Sequence, residues 1–343
     1  LSDMVHFGVS KDVLTFAKPH VGTDRLVLLL KALRKEFLEL GGKVHFHTAL
    51  EDIEISDGSL SRVNFNGTWQ DADNLVLAPG HSARFLYELL HERCVAEESK
   101  GFALGVRVEH PQELINIRQL GKDVNTELTG SAEYALTAKT LGGKSAAYSF
   151  CMCPGGVLVP CVSEEGTLAT NGMSESARSG KFANSAIVST LRPELFAAPA
   201  EAFAFLRGLE ASLFEKGGGN YTCPAQNAHD FLECKSGRLP HESSYRLGLR
   251  QSRLDNLVPE PTRSALANAL RRFDRLAPGF IRHGLLVGME TRVSSPVRFL
   301  RDPETLASSM PGLWLGGEGG GMAGGIVSAA IDGIRLAEKM LTV

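Results

Sequence analysis

The sequence predicts an α/β protein in which one layered α/β domain is interrupted by a mixed, β-rich insert. Three observations predict this class. The first third alternates between helical and strand-like patterns, a middle part from Gly101 to about Thr190 carries short β-like segments between turn residues, and the C-terminal part returns to strand, glycine-rich turn and helix. The insert is therefore expected between about Lys100 and Gly284.

A helix from Asp24 to Leu40 is the first element predicted. Thr23 is a suitable N-cap, and Gly41-Gly42 is typical of a helix end. Apolar residues recur at helical spacing, at Leu26, Leu29, Leu30, Leu33, Phe37 and Leu40. The segment Lys43–Thr48 then alternates between apolar and polar residues, so a strand is expected there.

A strand pair and a buried strand complete the first part. Ile53–Ile55 and Val63–Phe65 flank Asp57-Gly58, which indicates a hairpin. Leu75–Ala78 is apolar throughout and predicts a buried strand. It ends at Pro79-Gly80, and a helical pattern follows, from His81 to about Arg93.

The remaining elements follow from the same rules. The β-like segments are 102–108, 134–138, 146–152, 157–162 and 186–190, the helical patterns are 203–214 and 265–276, and further strands are predicted at 285–290 and 297–300.

The glycine-rich run Gly316–Ile326 is the strongest candidate for a ligand site. Seven of its eleven residues are glycine, a density that costs backbone entropy. The run joins a strand-like Leu313–Leu315 to an apolar helical pattern ending near Met340. A glycine turn before a helix presents unpaired N–H groups and the positive end of the helix dipole. It predicts a site for a phosphate or for an electron-rich ring edge, and the alternative is a flexible surface loop.

Composition excludes several function classes. The chain has 343 residues and a net charge of −3, with 43% hydrophobic residues. No basic run stands out, so nucleic acid is not an expected partner. No apolar run reaches membrane-spanning length, and Leu1–Met4 lacks the features of a signal peptide. Six cysteines are too few for a disulfide scaffold of this size, which favours a reducing, cytoplasmic compartment, or a plastid if the source is a plant or alga.

Cys151 and Cys153 lie in the unusual segment Phe150–Gly156. In a regular strand, residues i and i+2 share a face, but their Cβ atoms are too far apart for a disulfide. A turn at Pro154–Gly156 would bring them closer. Three interpretations remain open: buried structural thiols, redox or nucleophilic thiols near a cofactor, and a metal site, for which the spacing differs from the usual zinc pairs. No metal is predicted.

Arg107 and Glu109 alternate with Val106 and Val108 on a predicted strand, so the two charged side chains share a face. Arg107 is suited to bind an anionic substrate group, and Glu109 to orient it. An ion pair on a half-buried sheet is the alternative. The neighbouring His110 is a candidate proton donor or acceptor, or a structural residue.

Together these segments resemble the uncharacterised FAD-dependent dehydrogenase family of bacteria and plastids, a branch of the glutathione-reductase-like flavoproteins with two dinucleotide-binding domains. The resemblance covers nearly the whole chain and rests on eight motifs in order. They are Lys18–Asp24, Gly80–Arg84, Gly105–Gln112, Phe150–Gly156, Asn171–Ser174, Ala183–Ala186, Ser294–Arg298 and Gly317–Ile326.

The resemblance implies a Rossmann-like FAD/NAD(P)-binding domain and FAD as the cofactor. In such flavoproteins the ribityl and pyrophosphate region runs past a Gly-Glu pair, here Gly317-Glu318. The flavin ring edge rests on the start of the helix that follows. The adenine would lie near the strand that begins at Leu50, and the pyrophosphate near Gly80. The implied cofactor-binding residues are Leu50, Gly80, His81, Ser295, Gly317, Glu318, Gly319, Gly324, Gly325 and Ile326.

Two features depart from the family pattern. Near its N-terminus the sequence has no strand–Gly-x-Gly-x-x-Gly–helix unit, which normally grips the pyrophosphate and ribose. Because the chain begins with Leu1, a processed or truncated N-terminus is expected. Pro79 and Phe85 stand where the family often has Thr or Ser and Asp.

The predicted function is therefore that of an FAD-dependent oxidoreductase, a dehydrogenase with hydride chemistry at the flavin and an unidentified small-molecule substrate. NAD(P)H or another electron carrier is the candidate partner. The predicted catalytic residues are Arg107, Glu109, Cys151 and Cys153. The alternatives are a non-catalytic remnant or binding module that keeps the fold without FAD, and a thiol-based oxidoreductase.

The predicted domains are 1–99, the first part of the FAD-binding domain; 100–284, a substrate or cap insert; and 285–343, the C-terminal part of the FAD-binding domain.

Overall fold

The computed structural model describes residues 1–15, 21–139 and 146–342. Part of the family motif at Lys18–Asp24, namely its residues 18–20, lies outside this description. The helices are α1 (Ser2–His6), α2 (Thr23–Glu39), α3 (Arg84–Glu92), α4 (Gln112–Leu120), α5 (Thr126–Thr129), α6 (Pro199–Gly217), α7 (Ala228–Leu232), α8 (Leu254–Leu257), α9 (Thr262–Leu276), α10 (Phe280–His283) and α11 (Ile326–Met340).

Strands make up the rest of the regular structure, apart from two short 3-10 helices at Lys11–Leu14 and Pro193–Leu195. The strands are β1 (Leu50–Ser56), β2 (Ser59–Phe65), β3 (Thr68–Asp71), β4 (Leu75–Leu77), β5 (Glu97–Ser99), β6 (Phe102–Pro111), β7 (Thr137–Lys139), β8 (Ala146–Pro160), β9 (Thr170–Met173), β10 (Phe182–Leu191), β11 (Cys223–Asn227), β12 (Leu249–Gln251), β13 (Leu285–Glu290), β14 (Val297–Phe299) and β15 (Leu313–Leu315).

The chain divides into two compact units. Unit 1 comprises 1–37, 103–191 and 206–291, and unit 2 comprises 38–102, 192–205 and 292–343. Each unit is built from segments that are distant in the sequence. The domain boundaries expected from the sequence stay a prediction.

Unit 1 is built on a large mixed sheet. Its strand order is β12-β11-β13-β6-β10-β8-β7, and β9 pairs with β8. Every residue of β6 from Phe102 to His110 is buried, so both of its faces lie in the interior. Helix α9 packs against β10 and β7 through an apolar face that includes Leu266, Leu270 and Phe273. Much of the insert that the sequence predicts to be β-rich lies in this unit, where it forms a large mixed sheet together with helices.

Unit 2 contains small sheets around one apolar core. Strands β1, β2 and β3 form an antiparallel meander, β14 pairs with β5, and β15 pairs with β4 in parallel. The core brings these pieces together through side chains such as Ile53, Tyr87, Phe203, Phe299 and Leu313. Burial of the leucine, isoleucine and phenylalanine side chains of this core contributes about 1.5–3 kcal/mol each relative to exposure.

Most predicted elements are present, with one clear exception. The helix predicted for Asp24–Leu40 is α2, the hairpin is β1–β2, and the strand at Leu75–Ala78 is β4. The strand predicted for Lys43–Thr48 is wrong, because residues 43–48 have no strand pairing. Alternation alone does not make a strand, since its N–H and C=O groups must find a partner strand. Among the described residues, no helix is both long and apolar enough to cross a membrane.

Candidate functional site

A groove in unit 2 lies where the parallel strands β4 and β15 end. Leu75, Val76 and Leu77 pair with Leu313, Trp314 and Leu315, so both strands end at the same edge. In open α/β sheets, ligands bind at the carboxyl ends of the strands. The groove has a volume of about 400 Å³ and is lined by Val76, Ala78, Gly80, Gly316, Gly317, Glu318, Gly325, Ile326, Ala329, Gly333, Leu336, Ala337 and Met340. This volume falls in the ordinary range for small-molecule sites, roughly 300–1,000 Å³.

Asp332 on helix α11 anchors the turn after β15 through hydrogen bonds. The N–H of Gly317 donates to Oδ2 of Asp332 at 2.7 Å, and Arg301 donates to both carboxylate oxygens at 2.8 and 3.2 Å. Burial would raise the pKa of Asp332, but the hydrogen bonds from Arg301 and Gly317 outweigh it and hold that pKa below its usual value. The carboxylate therefore fixes the glycine turn to the helix in its ionised form.

The glycines of this run have two different roles. At Gly319 an added Cβ would lie 2.8 Å from the ring of Pro79, and at Gly321, where φ is +78°, it would lie 2.6 Å from the carbonyl oxygen of Val297. These two glycines permit close packing of the chain. Gly324 and Gly325 differ: beyond the adjoining residues, a Cβ at Gly324 would meet no described atom within 4 Å, and one at Gly325 would meet only Oγ of Ser328 at 3.9 Å. Space beside these two residues is open.

Helix α11 begins at this open space. Gly325 is its N-cap, with extended backbone and no side-chain capping bond. The first helical hydrogen bond is from the N–H of Ala329 to the carbonyl of Gly325, at 2.9 Å. The N–H groups of residues 326–328 therefore precede the helical ladder, at the positive end of the helix dipole. The predicted helix start is confirmed, and Ile326 beside it is 59% exposed.

Glu318 and Lys100 form a pair of charges next to the glycine turn. Burial raises the pKa of Glu318, and the charge of Lys100 opposes that change. Burial also lowers the pKa of Lys100, with repulsion from Arg298 in the same direction. Nζ of Lys100 donates to the carbonyl of Gly321 at 3.1 Å. Lys100 was not singled out by the sequence, because a single lysine between two predicted elements carries no pattern.

The other predicted cofactor residues do not line the groove. Nε2 of His81 lies 3.0 Å from the carbonyl of Ser294. Ser295 is buried and accepts a hydrogen bond from the N–H of Val297 at 3.2 Å. Leu50 packs against the core of unit 2. The structure therefore brings together Gly80, Gly317, Glu318, Gly325 and Ile326 at the groove, and it leaves Leu50, His81, Ser295, Gly319 and Gly324 off its lining.

A second polar cluster surrounds Arg107 in unit 1. This side chain is fully buried, and its Nη1 forms an ion pair with Oε2 of Glu290 at 3.0 Å. Its remaining contacts are with Oδ1 of Asn184 at 2.9 Å, Oδ1 of Asn171 at 3.4 Å, the carbonyl of Cys151 at 2.7 Å and Sγ of Cys153 at 3.3 Å. The guanidinium is thus enclosed by protein acceptors, as a buried charge requires.

Glu109 lies apart from this network, although the strand register places it on the same face. It accepts hydrogen bonds from the N–H and the hydroxyl of Ser244. Burial raises the pKa of Glu109, while the hydrogen bonds from Ser244 and Ser243 oppose that change. His110, on the opposite face, contacts the carbonyl of Phe280 at 2.8 Å, and burial lowers its pKa to about 4. The ion pair that the sequence suggested was between Arg107 and Glu109. In the structure, Arg107 pairs with Glu290 instead.

Cys151 and Cys153 lie in an irregular part of β8. Ala186 pairs with Phe150 and Asn184 with Cys153, so β8 has one residue more than β10 between these pairs. This is a β-bulge, and Cys151 adopts a left-handed conformation with φ of +43°. All six cysteines lie in the described residues, and none forms a disulfide. In the described part of the chain, no group of three or more His, Cys, Asp or Glu residues is arranged to hold a metal ion.

Comparisons with known proteins place part of this chain in a family. Residues 101–293 match the family described as FAD-dependent protein, C-terminal domain-like. An uncharacterized protein from Clostridium beijerinckii (strain ATCC 51743 / NCIMB 8052) is 42% identical over 346 residues, which cover 99% of this chain and 65% of that protein. The chain thus spans about two thirds of the length of this relative.

A solved structure is also similar, at a greater distance. The crystal structure of tetracycline destructase Tet(51) aligns with 54% of this chain and 37% of that chain, with 14% sequence identity and a TM-score of 0.25. This likeness is too slight to bear on fold or function.

Proposed function

The chain belongs to the FAD-dependent protein family, through the C-terminal domain-like region that it matches, and we propose that it acts as an FAD-dependent oxidoreductase. We further propose that the FAD-binding part is Rossmann-like, of the glutathione-reductase-like kind, and is interrupted by the β-rich insert. One observation carries the proposal. A groove at the end of parallel strands meets the start of α11 beside glycines with open space around them.

The residues of the groove fit FAD on the side that they cover. Gly317 and Glu318 would hold the ribityl and pyrophosphate region, and Gly325 and Ile326, together with Gly324 next to the groove, would support the edge of the flavin ring. N–H groups at a helix start favour an electron-rich or anionic partner. When bound, FAD would supply hydride-transfer chemistry. The helix start would stabilise negative charge there without reorganising.

The apolar lining of the groove has a second use. Ala329, Gly333 and Ala337 leave room along one side of α11, and Val76 borders the same space. Such a surface excludes water from a bound ring system and strengthens the electrostatic effect of nearby donors. Asp332 and Arg301 hold the turn that carries Gly317, so they would position the cofactor without contacting it.

Substrate and electron partner belong to the proposal as well. Arg107, Glu109, Cys151 and Cys153 stay the candidate residues for the substrate, with a small molecule as the substrate class and NAD(P)H or another electron carrier as the partner. Buried Arg107 is saturated with protein acceptors, so its expected role is to position the Cys151–Cys153 segment.

The proposal is tested by flavin binding to purified protein. We expect visible flavin absorption, or its appearance when FAD is added, and we expect Gly325→Val to abolish binding. The added side chain would enter the open space beside the helix start, while the protein itself has room for it. Absorption spectra and fluorescence titration with FAD measure the result.

Gly208→Val is the matched control, because Gly208 is exposed on α6 and a Cβ there meets no described atom within 4 Å. It should bind FAD like the parent protein. A parent protein that stays colourless and takes up no FAD would instead support the non-catalytic binding module. A Gly325→Val protein with full flavin content would refute the assignment of the groove.

A further inference from the structure

The bulge at Cys151-Met152-Cys153 has features that FAD binding does not require. It lies within unit 1, where two thiols are separated by one residue at an irregular point of β8. Cys151 is exposed, whereas Cys153 is only partly accessible. Both cysteines contact the same buried guanidinium, through the carbonyl of Cys151 and the sulfur of Cys153.

The bulge changes the geometry that normally keeps such a pair apart. In an extended strand, two residues span about 6.6 Å, close to the upper end of the Cα separations that disulfides allow, roughly 4.4–6.8 Å. The bulge places 150–153 opposite 184–186 with one residue more than β10, and Cys151 is left-handed, with φ of +43°, so this segment departs from the regular extended strand. Sγ of Cys153 lies 3.4 Å from the carbonyl oxygen of Cys151, so the thiol of Cys153 is turned back towards the backbone of Cys151.

The thiol of Cys153 is partly buried beside a positive charge. Nη2 of Arg107 lies 3.3 Å from Sγ of Cys153. Asn184 pairs with Cys153 across the sheet, is fully buried, and its Nδ2 has no hydrogen-bond partner in the described part of the chain. Burial raises the pKa of Cys153, while Arg107 opposes that change. The exposed Cys151 is therefore the thiol that meets an oxidant first, and Cys153 is the one that follows.

We propose that Cys151 and Cys153 form a thiol–disulfide exchange site that reacts with small-molecule disulfides. The thiolate of Cys151 attacks a disulfide RS–SR, a bond forms between Sγ of Cys151 and one sulfur, and RS⁻ leaves. Cys153 then gives up its proton and attacks Sγ of Cys151. The second RS⁻ leaves and takes that proton, and the Cys151–Cys153 disulfide remains. The two thiols are oxidised by two electrons, and the small disulfide is reduced to two thiols.

The test is treatment of the purified, fully reduced chain with oxidised glutathione, followed by intact mass measurement and peptide mapping. We expect the peptide with both cysteines to lose two hydrogen atoms and to carry no glutathione. In Cys153→Ser, the second step is blocked, so Cys151 should keep one glutathionyl group. In Cys151→Ser, the reaction at this peptide should fall at least tenfold. These results do not depend on FAD.

The chain supplies its own matched controls. Cys234 is exposed and also left-handed, with φ of +51°, and Cys94 is similar, with φ of +57°, but neither has a cysteine two residues away. These two should form only glutathionyl adducts. If Cys151 in the parent protein also stops at the adduct, or stays unmodified while Cys94 and Cys234 react, the proposal is wrong. Folding of each variant is checked by circular dichroism.

Discussion

At the scale of single residues, Arg107 shows how a buried charge is accommodated. Removing its partner Glu290 would leave an uncompensated charge, a change that typically costs about 3–5 kcal/mol. The contacts of the guanidinium with Asn184, Asn171 and the Cys151 carbonyl hold it in one position. A substitution at a neighbouring glycine can disturb this position. At Gly172 an added Cβ would be in hard contact with the Arg107 guanidinium and with the Asn184 amide.

We therefore predict that Gly172→Ala lowers the free energy of unfolding by about 1–3 kcal/mol, because the side chain overpacks the cluster. Urea denaturation followed by circular dichroism measures it. Gly208→Ala is the control, and it should leave stability unchanged or raise it by up to about 1 kcal/mol, since alanine is the better helix former. Equal stability of the Gly172→Ala and parent proteins would show that the cluster relaxes around the methyl group.

Sequence reasoning reached only part of this residue-scale detail. The strand pattern placed Arg107 and Glu109 on one face, and both are buried. Their partners, Glu290 and Ser244, come from segments more than a hundred residues away, and alternation along one strand says nothing about such partners. The bulge at Cys151 was missed for a similar reason. It arises from a register mismatch with β10, which is a property of two strands together.

At the scale of elements, the turn after β15 depends on a carboxylate from helix α11. The folded-state pKa of Asp332 is below its usual value. Its stabilisation is therefore fully present above the unfolded-state pKa, about 3.9, and it is lost as the pH falls through the lower folded-state pKa. The stabilisation from this contact is therefore lost at acidic pH and not at alkaline pH.

We predict that Asp332→Asn lowers the free energy of unfolding by about 1–3 kcal/mol at pH 7, since it weakens bonds to a largely buried Arg301. The deficit should begin to shrink near about pH 3.9, where the carboxylate of the unfolded parent chain starts to take up a proton, and it should disappear as the pH falls through the lower folded-state pKa. Urea denaturation at a series of pH values measures both effects. Glu304→Gln removes an equal charge from an exposed position and should change stability by less than about 0.5 kcal/mol. A deficit that stays constant with pH would contradict this role of the carboxylate.

Elements with a strong local pattern were well predicted. Helices α2, α9 and α11 have apolar residues at helical spacing, and β4 and β15 are short apolar runs, the second of which lies between Gly312 and Gly316. The strand expected at Lys43–Thr48 failed although its alternation is equally regular, because strand formation depends on a partner. Local pattern is therefore sufficient for helices and only suggestive for strands.

At the scale of the whole molecule, two cores are assembled from interleaved segments. Residues 192–205 belong to unit 2, while the segments before and after them belong to unit 1. Phe203 accordingly packs in the core that contains Tyr87 and Phe299. Its ring centroid lies 4.8 Å from that of Tyr87. The sequence pattern does not reveal that the chain passes from unit 2 to unit 1 here, because the helical spacing at 203–214 continues unchanged across that point.

A ligand that binds the groove should act first on the backbone around it. Binding to the folded state alone stabilises a protein by about 2.7 kcal/mol when the free ligand is at a hundred times its Kd. We predict that FAD slows amide hydrogen exchange in residues 316–328, because part of the glycine turn lines the groove and the first N–H groups of α11 precede the helical ladder. Exchange measured by mass spectrometry, with and without FAD, tests this. Gly325→Val with FAD should exchange as the free protein does. Protection confined to segments outside 75–80 and 316–328 would show that FAD binds elsewhere, because a cofactor held at this edge must cover the glycine turn.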